Sequence, residues 1–222
     1  MSTMEQIILT TFTDPMMGLS YECEPVYEQL ADLYKGHITF KYVMSGLVRD
    51  VSDFMLPEEL VLPPEDGIRA YNKRLAGIYL SEETIGGLPM NMEGFHLFDA
   101  THRSSYPLCV AYKAAQLADP EKADNYLYRL RRATIVESRQ TTLDDELISI
   151  AAEAGINVDL FQQNYTDGSA LVAFKNDLEI TRSMNIRGLP ACLIQCGKRS
   201  ALVSGMIGLH GFMTVIAQLL SY

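Results

Sequence analysis

The pattern of apolar and polar positions divides the chain into a mixed first part, a helical middle and a mixed last part. Residues 6–12 are apolar or β-branched, which predicts a strand. The spacing over 18–33 predicts a helix that Pro25 should kink or break, with Leu33 on its apolar face. Alternating apolar residues predict a second strand over 37–44. The first part therefore has the order β-α-β.

The middle of the chain has mostly helical spacing. Residues 56–65 are rich in proline and acidic side chains and predict a linker or loop. Four amphipathic stripes follow, and Thr142 is placed to cap the fourth helix. The basic residues of the third helix, taken together, indicate a solvated face; they are Arg129, Arg131 and Arg132.

The last part returns to mixed structure, with a helix, two short strands joined at Gly197-Lys198, and a final helix near 209–220. Removing the helical block leaves one continuous β-α-β-α-β-β-α unit. We therefore predict an α/β protein in which residues 1–54 and 166–222 form one domain and residues 55–165 form an inserted all-helical domain.

Composition narrows the range of functions. The chain has 222 residues and a net charge of −10, which disfavours nucleic acid as a partner. No apolar run approaches the roughly 20 residues that span a bilayer, so no membrane partner is expected. The start of the chain lacks the pattern of a secretory signal.

The four cysteines do not form a C-x-x-C pair. Cys192 and Cys196 are four apart in a predicted strand, about 13 Å, which is too far for a disulfide. No cysteine–histidine spacing suggests a metal site. Free thiols and the absence of a secretory signal favour the cytoplasm.

Four short motifs carry a resemblance to a known family. An X–Pro turn comes just before a predicted strand near the end of the chain, and a strand-to-helix turn lies near its start. The motifs are Asp14-Pro15-Met16 with Glu24-Pro25, Tyr42-Val43-Met44-Ser45-Gly46-Leu47, Val136-Glu137-Ser138-Arg139, and Arg187-Gly188-Leu189-Pro190. In these motifs the chain resembles the DsbA superfamily, and within it the FrnE-like dithiol–disulfide isomerases. The resemblance implies a thioredoxin-like fold with a helical insertion and a cis-proline loop.

The resemblance places the family's nucleophilic cysteine at Met17 and its resolving cysteine at Ser20. A thioether has no ionisable hydrogen and cannot form a mixed disulfide, and a serine cannot resolve one. The resemblance implies a thiol–disulfide oxidoreductase or isomerase, but the residues of this chain predict that two-cysteine exchange is lost.

Three functions stay open. The first is redox-inactive binding of a peptide or protein, with no cofactor required, in a groove at the cis-proline loop. The second is a glutathione-dependent transferase or isomerase that resembles the kappa class, with Ser20 as the candidate catalytic residue. The third is residual redox chemistry at Cys23 and Cys192. The candidate ligand-binding residues are Met17, Gly18, Leu19, Ser20, Tyr21, Leu189 and Pro190.

Overall fold

The computed structural model describes residues 5–221. Its first part follows the expected β-α-β order, a run of helices comes next, and the chain ends in α-β-β-α order. The elements are β1 (Ile7–Thr13), α1 (Gly18–Glu22), α2 (Glu24–Leu33), β2 (Ile38–Met44), α3 (Pro57–Leu60), α4 (Pro64–Gly86), α5 (Tyr106–Ala118), α6 (Ala123–Ile135), α7 (Asp144–Glu153), α8 (Val158–Thr166), α9 (Ser169–Ser183), β3 (Ala191–Cys196), β4 (Arg199–Ser204) and α10 (Leu209–Leu220).

The strands form one sheet in the order β2-β1-β3-β4. β1 is parallel to β2 and antiparallel to β3, and β3 and β4 form an antiparallel hairpin. Ile7 and Leu9 on the central strand pack with Tyr27 of α2 and Phe212 of α10. Phe12 packs in a separate apolar cluster. β1 is therefore buried on both faces, which explains its almost continuous apolar sequence.

The helix predicted over 18–33 is two helices. α1 ends at Glu22 and α2 begins at Glu24, so the chain breaks at Cys23. Pro25 lies in the first turn of α2, where its missing N–H removes no intrahelical bond. Leu33, expected on the apolar face, is 52% exposed at the end of α2.

Two predictions in the middle of the chain are wrong. The stretch 56–65 contains α3 and the start of α4, because Pro57 and Pro64 occupy first helical positions that favour helix initiation. Thr142 does not cap α7, which has Leu143 at its N-cap. The Thr142 hydroxyl instead donates to the Leu97 carbonyl at 2.6 Å.

The largest apolar core crosses from the sheet side of the molecule into the helical middle. Met16, Tyr42 and Met44 belong to it together with Tyr71 of α4 and Tyr112 of α5. The segment 55–165 and the described residues 5–54 therefore share one interior. Their division into two domains remains a prediction from the sequence.

Asp14 joins three parts of the chain at the end of β1. Its buried carboxylate accepts hydrogen bonds from the N–H groups of Met16 at 3.1 Å and Leu47 at 2.7 Å. It also accepts from the hydroxyl of Ser105, which precedes α5, at 2.7 Å. Burial raises the pKa of Asp14, and these hydrogen bonds oppose that shift. The strand end, the loop after β2 and the start of α5 are thereby fixed together.

Arg131 of α6 corrects the expectation of a solvated basic face. Its side chain is fully buried, and its guanidinium donates to Glu24 of α2 at 3.1 Å and to the Thr13 hydroxyl at 2.9 Å. Burial raises the pKa of Glu24 to about 7, although the nearby guanidinium acts in the opposite direction. Arg132, the next residue, is exposed as expected.

We predict that Arg131→Met lowers the free energy of unfolding by about 3–5 kcal/mol, because it leaves the Glu24 carboxylate buried without its partner. Arg132→Met is the matched control and should change it by less than about 0.5 kcal/mol. Urea denaturation measures both values. The double change Glu24→Leu with Arg131→Met should recover most of the loss. An Arg131→Met protein as stable as wild type would show that this ion pair is dispensable.

Candidate functional site

Met17 lies in the turn between the end of β1 and the start of α1. A tight turn joins the two, with the Met17 N–H donating to the Asp14 carbonyl at 3.1 Å. Met17 is the N-cap residue of α1, which has only five residues. The side chain is 9% exposed. A thioether therefore stands at the helix start, where the resemblance places a nucleophilic thiol.

Ser20 points into the protein. Its side chain is 1% exposed, and its hydroxyl accepts a hydrogen bond from the Thr13 hydroxyl at 2.7 Å. The same hydroxyl donates to the Met17 sulfur at 3.9 Å. Since Thr13 is in turn held by Arg131, a hydrogen-bonded chain runs from the buried guanidinium to Met17. The buried Ser20 hydroxyl thus helps to hold the Met17 side chain in place.

The cis-proline loop lies beside the same strand end. The Leu189–Pro190 peptide bond is cis. Phe12 of β1 pairs with Ala191 of β3, so extending that register by one residue places Pro190 opposite Thr13. Pro190 is buried, whereas Leu189 is partly exposed. Among the described residues, the Leu189 main chain has no backbone hydrogen-bond partner.

The helical middle covers much of the predicted groove. The Tyr79 hydroxyl of α4 donates to the Met16 carbonyl. The Tyr21 hydroxyl donates to the Pro89 carbonyl at 3.5 Å. As a result most of the seven candidate ligand-binding residues are buried. Only Leu19 and Leu189 are partly exposed.

A cavity of about 190 Å³ separates the start of α1 from α4. Met17 and Gly18 line it from one side, and Leu75, Tyr79 and Glu82 line it from the other. The other candidate residues do not line this cavity; they are Leu19, Ser20, Tyr21, Leu189 and Pro190. The structure therefore divides the predicted groove into an inner cavity at Met17 and an outer rim at Leu189.

Two carboxylates at this site, those of Glu22 and Glu82, were not predicted from the sequence. Glu22 of α1 is 4% exposed and accepts from the Leu88 N–H at 3.0 Å. Glu82 of α4 lies so close to α1 that a Cβ on Gly18 would be 2.0 Å from its Oε2 atom. Burial and the charge of Glu22 raise the pKa of Glu82 to about 7. Glycine at a helix start was the one sequence signal for this close approach.

The cysteines lie away from this cavity and are all buried and unpaired. Cys192 is hydrogen-bonded with the hydroxyls of Tyr27 at 3.2 Å and Thr11 at 3.4 Å. Burial raises the pKa of Cys23 to about 11, and the pKa of Cys192 is also raised. Both thiols are therefore held in their unreactive protonated form.

Other features of the surface do not add to this site. A larger cavity, about 770 Å³, lies between α4 and residues 92–101 and includes none of the candidate residues. Across residues 5–221, no group of three or more histidine, cysteine or acidic side chains is placed to hold a metal ion. No helix in that range combines the length and apolar composition needed to cross a bilayer.

The sheet order, the cis-proline before β3 and the helices between β2 and α9 define a thioredoxin-like α/β fold with a helical insertion. The sequence profile of a family described as thioredoxin matches residues 10–202. The chain belongs to this family of thioredoxin-like proteins. The fold predicted from the sequence is thereby confirmed.

Solved structures share the fold at low sequence identity. A candidate protein disulfide isomerase from Nitrosomonas europaea has a TM-score of 0.78 and 20% identity, with 96% of this chain and 97% of that chain covered. The cytosolic disulfide reductase DsbM from Pseudomonas aeruginosa has a TM-score of 0.65 and 19% identity, with 89% of each chain covered.

A curated relative has a different kind of name. The ClpXP adapter protein SpxH from Halalkalibacterium halodurans is 23% identical over 215 residues, covering 96% of this chain. The chain spans 67% of that relative's length, and 55% and 54% of the length of two further relatives with the same name. The similarity thus includes proteins named as a disulfide isomerase or reductase and proteins named as ClpXP adapters.

We predict that Glu82→Gln stabilises the protein at pH 8 but not at pH 5. The pKa of Glu82 is about 7 in the folded protein, and in the unfolded chain it takes the ordinary glutamate value of 4.5, so the folded state binds more protons between these values. Stability is therefore lost as the pH rises through this window. Because Glu82 is only half-buried, solvent screening reduces the expected gain at pH 8 to about 1 kcal/mol.

Urea denaturation at both pH values measures the effect, with Glu83→Gln as the matched neighbouring control. A Glu82→Gln protein that is less stable at pH 8 would show that the carboxylate stabilises the fold.

Proposed function

We propose that this protein binds an extended segment of a protein partner at the cis-proline loop and performs no thiol–disulfide exchange. The observation that carries the proposal is the thioether of Met17 at the N-cap of α1, with Ser20 buried beneath it. The protein has the cis-proline loop at which we propose that a partner binds, but it has no sulfur nucleophile at the start of α1.

The lack of exchange follows from the chemistry of the residues present. A disulfide is opened by a thiolate, and Met17 has no S–H to ionise. The nearest thiols in the sequence and across the sheet are Cys23 and Cys192, and both are buried with raised pKa values. Glu82 beside α1 would further disfavour a negative charge at the helix start.

Partner binding is supported by the main chain of Leu189. Its N–H and carbonyl have no backbone partner among the described residues, and the side chain is partly exposed. An extended segment can pair with such groups as an added strand without any covalent step. The side chains of Leu19 and Leu189 are apolar and partly exposed, so both are available for apolar contact.

The name of the curated relative supports the same class of function. It is called a ClpXP adapter, so it acts through protein partners. For the present chain we propose adapter-like binding in the cytoplasm, and DsbM is likewise named cytosolic. The partner of this chain is a protein segment defined by its fit to the rim at Leu189.

The glutathione-dependent alternative stays a hypothesis. It needs the Ser20 hydroxyl to face the bound thiol, and the burial of Ser20 counts against it. Calorimetry with millimolar glutathione separates the two functions. Saturable binding that Ser20→Ala weakens would favour the alternative.

We predict that the wild-type protein reduces insulin no faster than dithiothreitol alone, because its helix start has no thiol. Introducing both Met17→Cys and Ser20→Cys should give measurable catalysis, since a helix N-terminus and the paired spacing favour a reactive thiolate. Adding Glu82→Gln should raise the rate further by removing a nearby negative charge. The control is Ser20→Cys alone, which should remain inactive. Wild-type catalysis above background would contradict the proposal.

We predict that peptide binding depends on the Leu189 N–H. Twelve-residue peptides are selected against the protein by phage display, labelled with fluorescein and titrated by anisotropy. Leu189→Pro removes one main-chain donor and should weaken binding about tenfold, as expected for a lost hydrogen bond of about 1.4 kcal/mol.

Leu189→Ala keeps the N–H and should weaken binding less than about threefold. Circular dichroism confirms that both variants are folded. Equal binding by wild type and Leu189→Pro would place the peptide elsewhere.

A further inference from the structure

The cavity between α1 and α4 is apolar apart from one end. Its walls include Met17, Leu75, Ile78 and Tyr79, and it holds about 190 Å³. That volume equals about six water molecules in the liquid. It therefore accommodates one long unbranched side chain. Glu82 lies on its lining.

The Glu82 carboxylate is incompletely satisfied. The Leu19 N–H acts on the carboxylate and lowers its pKa, in opposition to burial. The Oε2 atom is nevertheless shielded from solvent and has no hydrogen-bond partner among the described residues. A shielded carboxylate oxygen without a donor costs stability in the free protein. Such a cost at a cavity wall is typical of a group that serves binding.

The other charged and titratable groups around Glu82 do not neutralise it. Glu22 on α1 is a second carboxylate, bonded to the Leu88 N–H. The Tyr79 hydroxyl is committed to the Met16 carbonyl, and Asp14 behind it is fully buried. The local field at this end of the cavity is therefore negative.

Arg74, a cation that lines the cavity, is paired with Glu59. The Arg74 guanidinium donates to both carboxylate oxygens of Glu59 at 2.9 Å and to the Phe54 carbonyl at 2.8 Å. Glu59, whose pKa this arginine lowers, balances its charge. When Glu82 is ionised, Arg74 therefore does not balance its charge.

We propose that the cavity receives a lysine side chain of the bound partner segment, with the ammonium paired to Glu82 Oε2. This inference rests on the proposed function and specifies the chemistry of the partner. The four-carbon stem of lysine matches the apolar wall, and its compact ammonium matches a single acceptor oxygen. Arginine fits less well, because its five N–H donors would need further acceptors that the apolar wall does not supply.

Binding of the ammonium is linked to the ionisation of Glu82. In the free protein the pKa of Glu82 is about 7, so the carboxyl is mostly protonated at pH 6 and mostly charged at pH 8. A lysine ammonium stays charged throughout this range. Affinity should therefore rise between pH 6 and pH 8, and Glu82→Gln should abolish that rise.

The test uses hexylammonium chloride as a probe and hexanol as its uncharged counterpart, each titrated by methyl NMR of the wild-type protein. We expect hexylammonium to perturb the Met17 and Leu75 methyl signals saturably and to bind at least fivefold more tightly than hexanol at pH 8. Glu82→Gln should weaken hexylammonium at least fivefold, and the control Glu83→Gln less than twofold. Equal binding of the two probes, no binding, or no effect of Glu82→Gln would overturn the proposal.

The selected peptides separate this inference from the proposed function. If peptides bind in a Leu189-dependent manner but carry no enriched lysine and ignore Glu82→Gln, the lysine proposal fails and the peptide function stands. If hexylammonium binds at Glu82 but no peptide is selected, the cavity proposal stands as an ammonium site and the peptide function fails.

Discussion

Two buried charges, Asp14 and Arg131, hold together the parts of the chain that build the site. Asp14 at the end of β1 binds the loop after β2 and the hydroxyl that precedes α5. Arg131 of α6 reaches the same strand end and also holds α2 through Glu24. Neither charge can be removed from water cheaply, so each must keep its partners for the fold to persist. The helical middle is thereby attached to the sheet by directed polar contacts as well as by apolar packing.

The candidate site depends on this attachment. The Thr13 hydroxyl accepts a hydrogen bond from Arg131 and donates one to Ser20. The Ser20 hydroxyl in turn donates to the Met17 sulfur. On the other side, α4 approaches α1 closely enough to put a carboxylate where a side chain at Gly18 would otherwise lie. The helix start is therefore set by contacts from the insertion, and the Met17 thioether and the Glu82 carboxylate line the same cavity. A thiolate introduced at position 17 would be disfavoured by this nearby carboxylate.

The sequence predicted the elements that rest on local patterns. Alternating or continuous apolar residues located the strands to within a residue or two, and Pro25 indicated the break near Cys23. The two turns that frame the site were recognisable because proline and glycine constrain the backbone locally. The burial of Arg131 and the approach of Glu82 could not be predicted in this way. Each depends on a partner far away in the sequence, and a charged residue on an amphipathic helix has the same local pattern whether it faces solvent or a buried partner.

The continuous apolar core has a consequence for how such proteins diversify. Met16 and Tyr42 share their packing with Tyr71 and Tyr112, which belong to the insertion. The insertion is consequently not an exchangeable module: transplanting it to another scaffold would expose an apolar face on both donor and recipient. Substitutions at the partly exposed Leu189 leave this shared core intact, whereas the cavity wall includes Tyr71, Leu75 and Tyr79 of the same core.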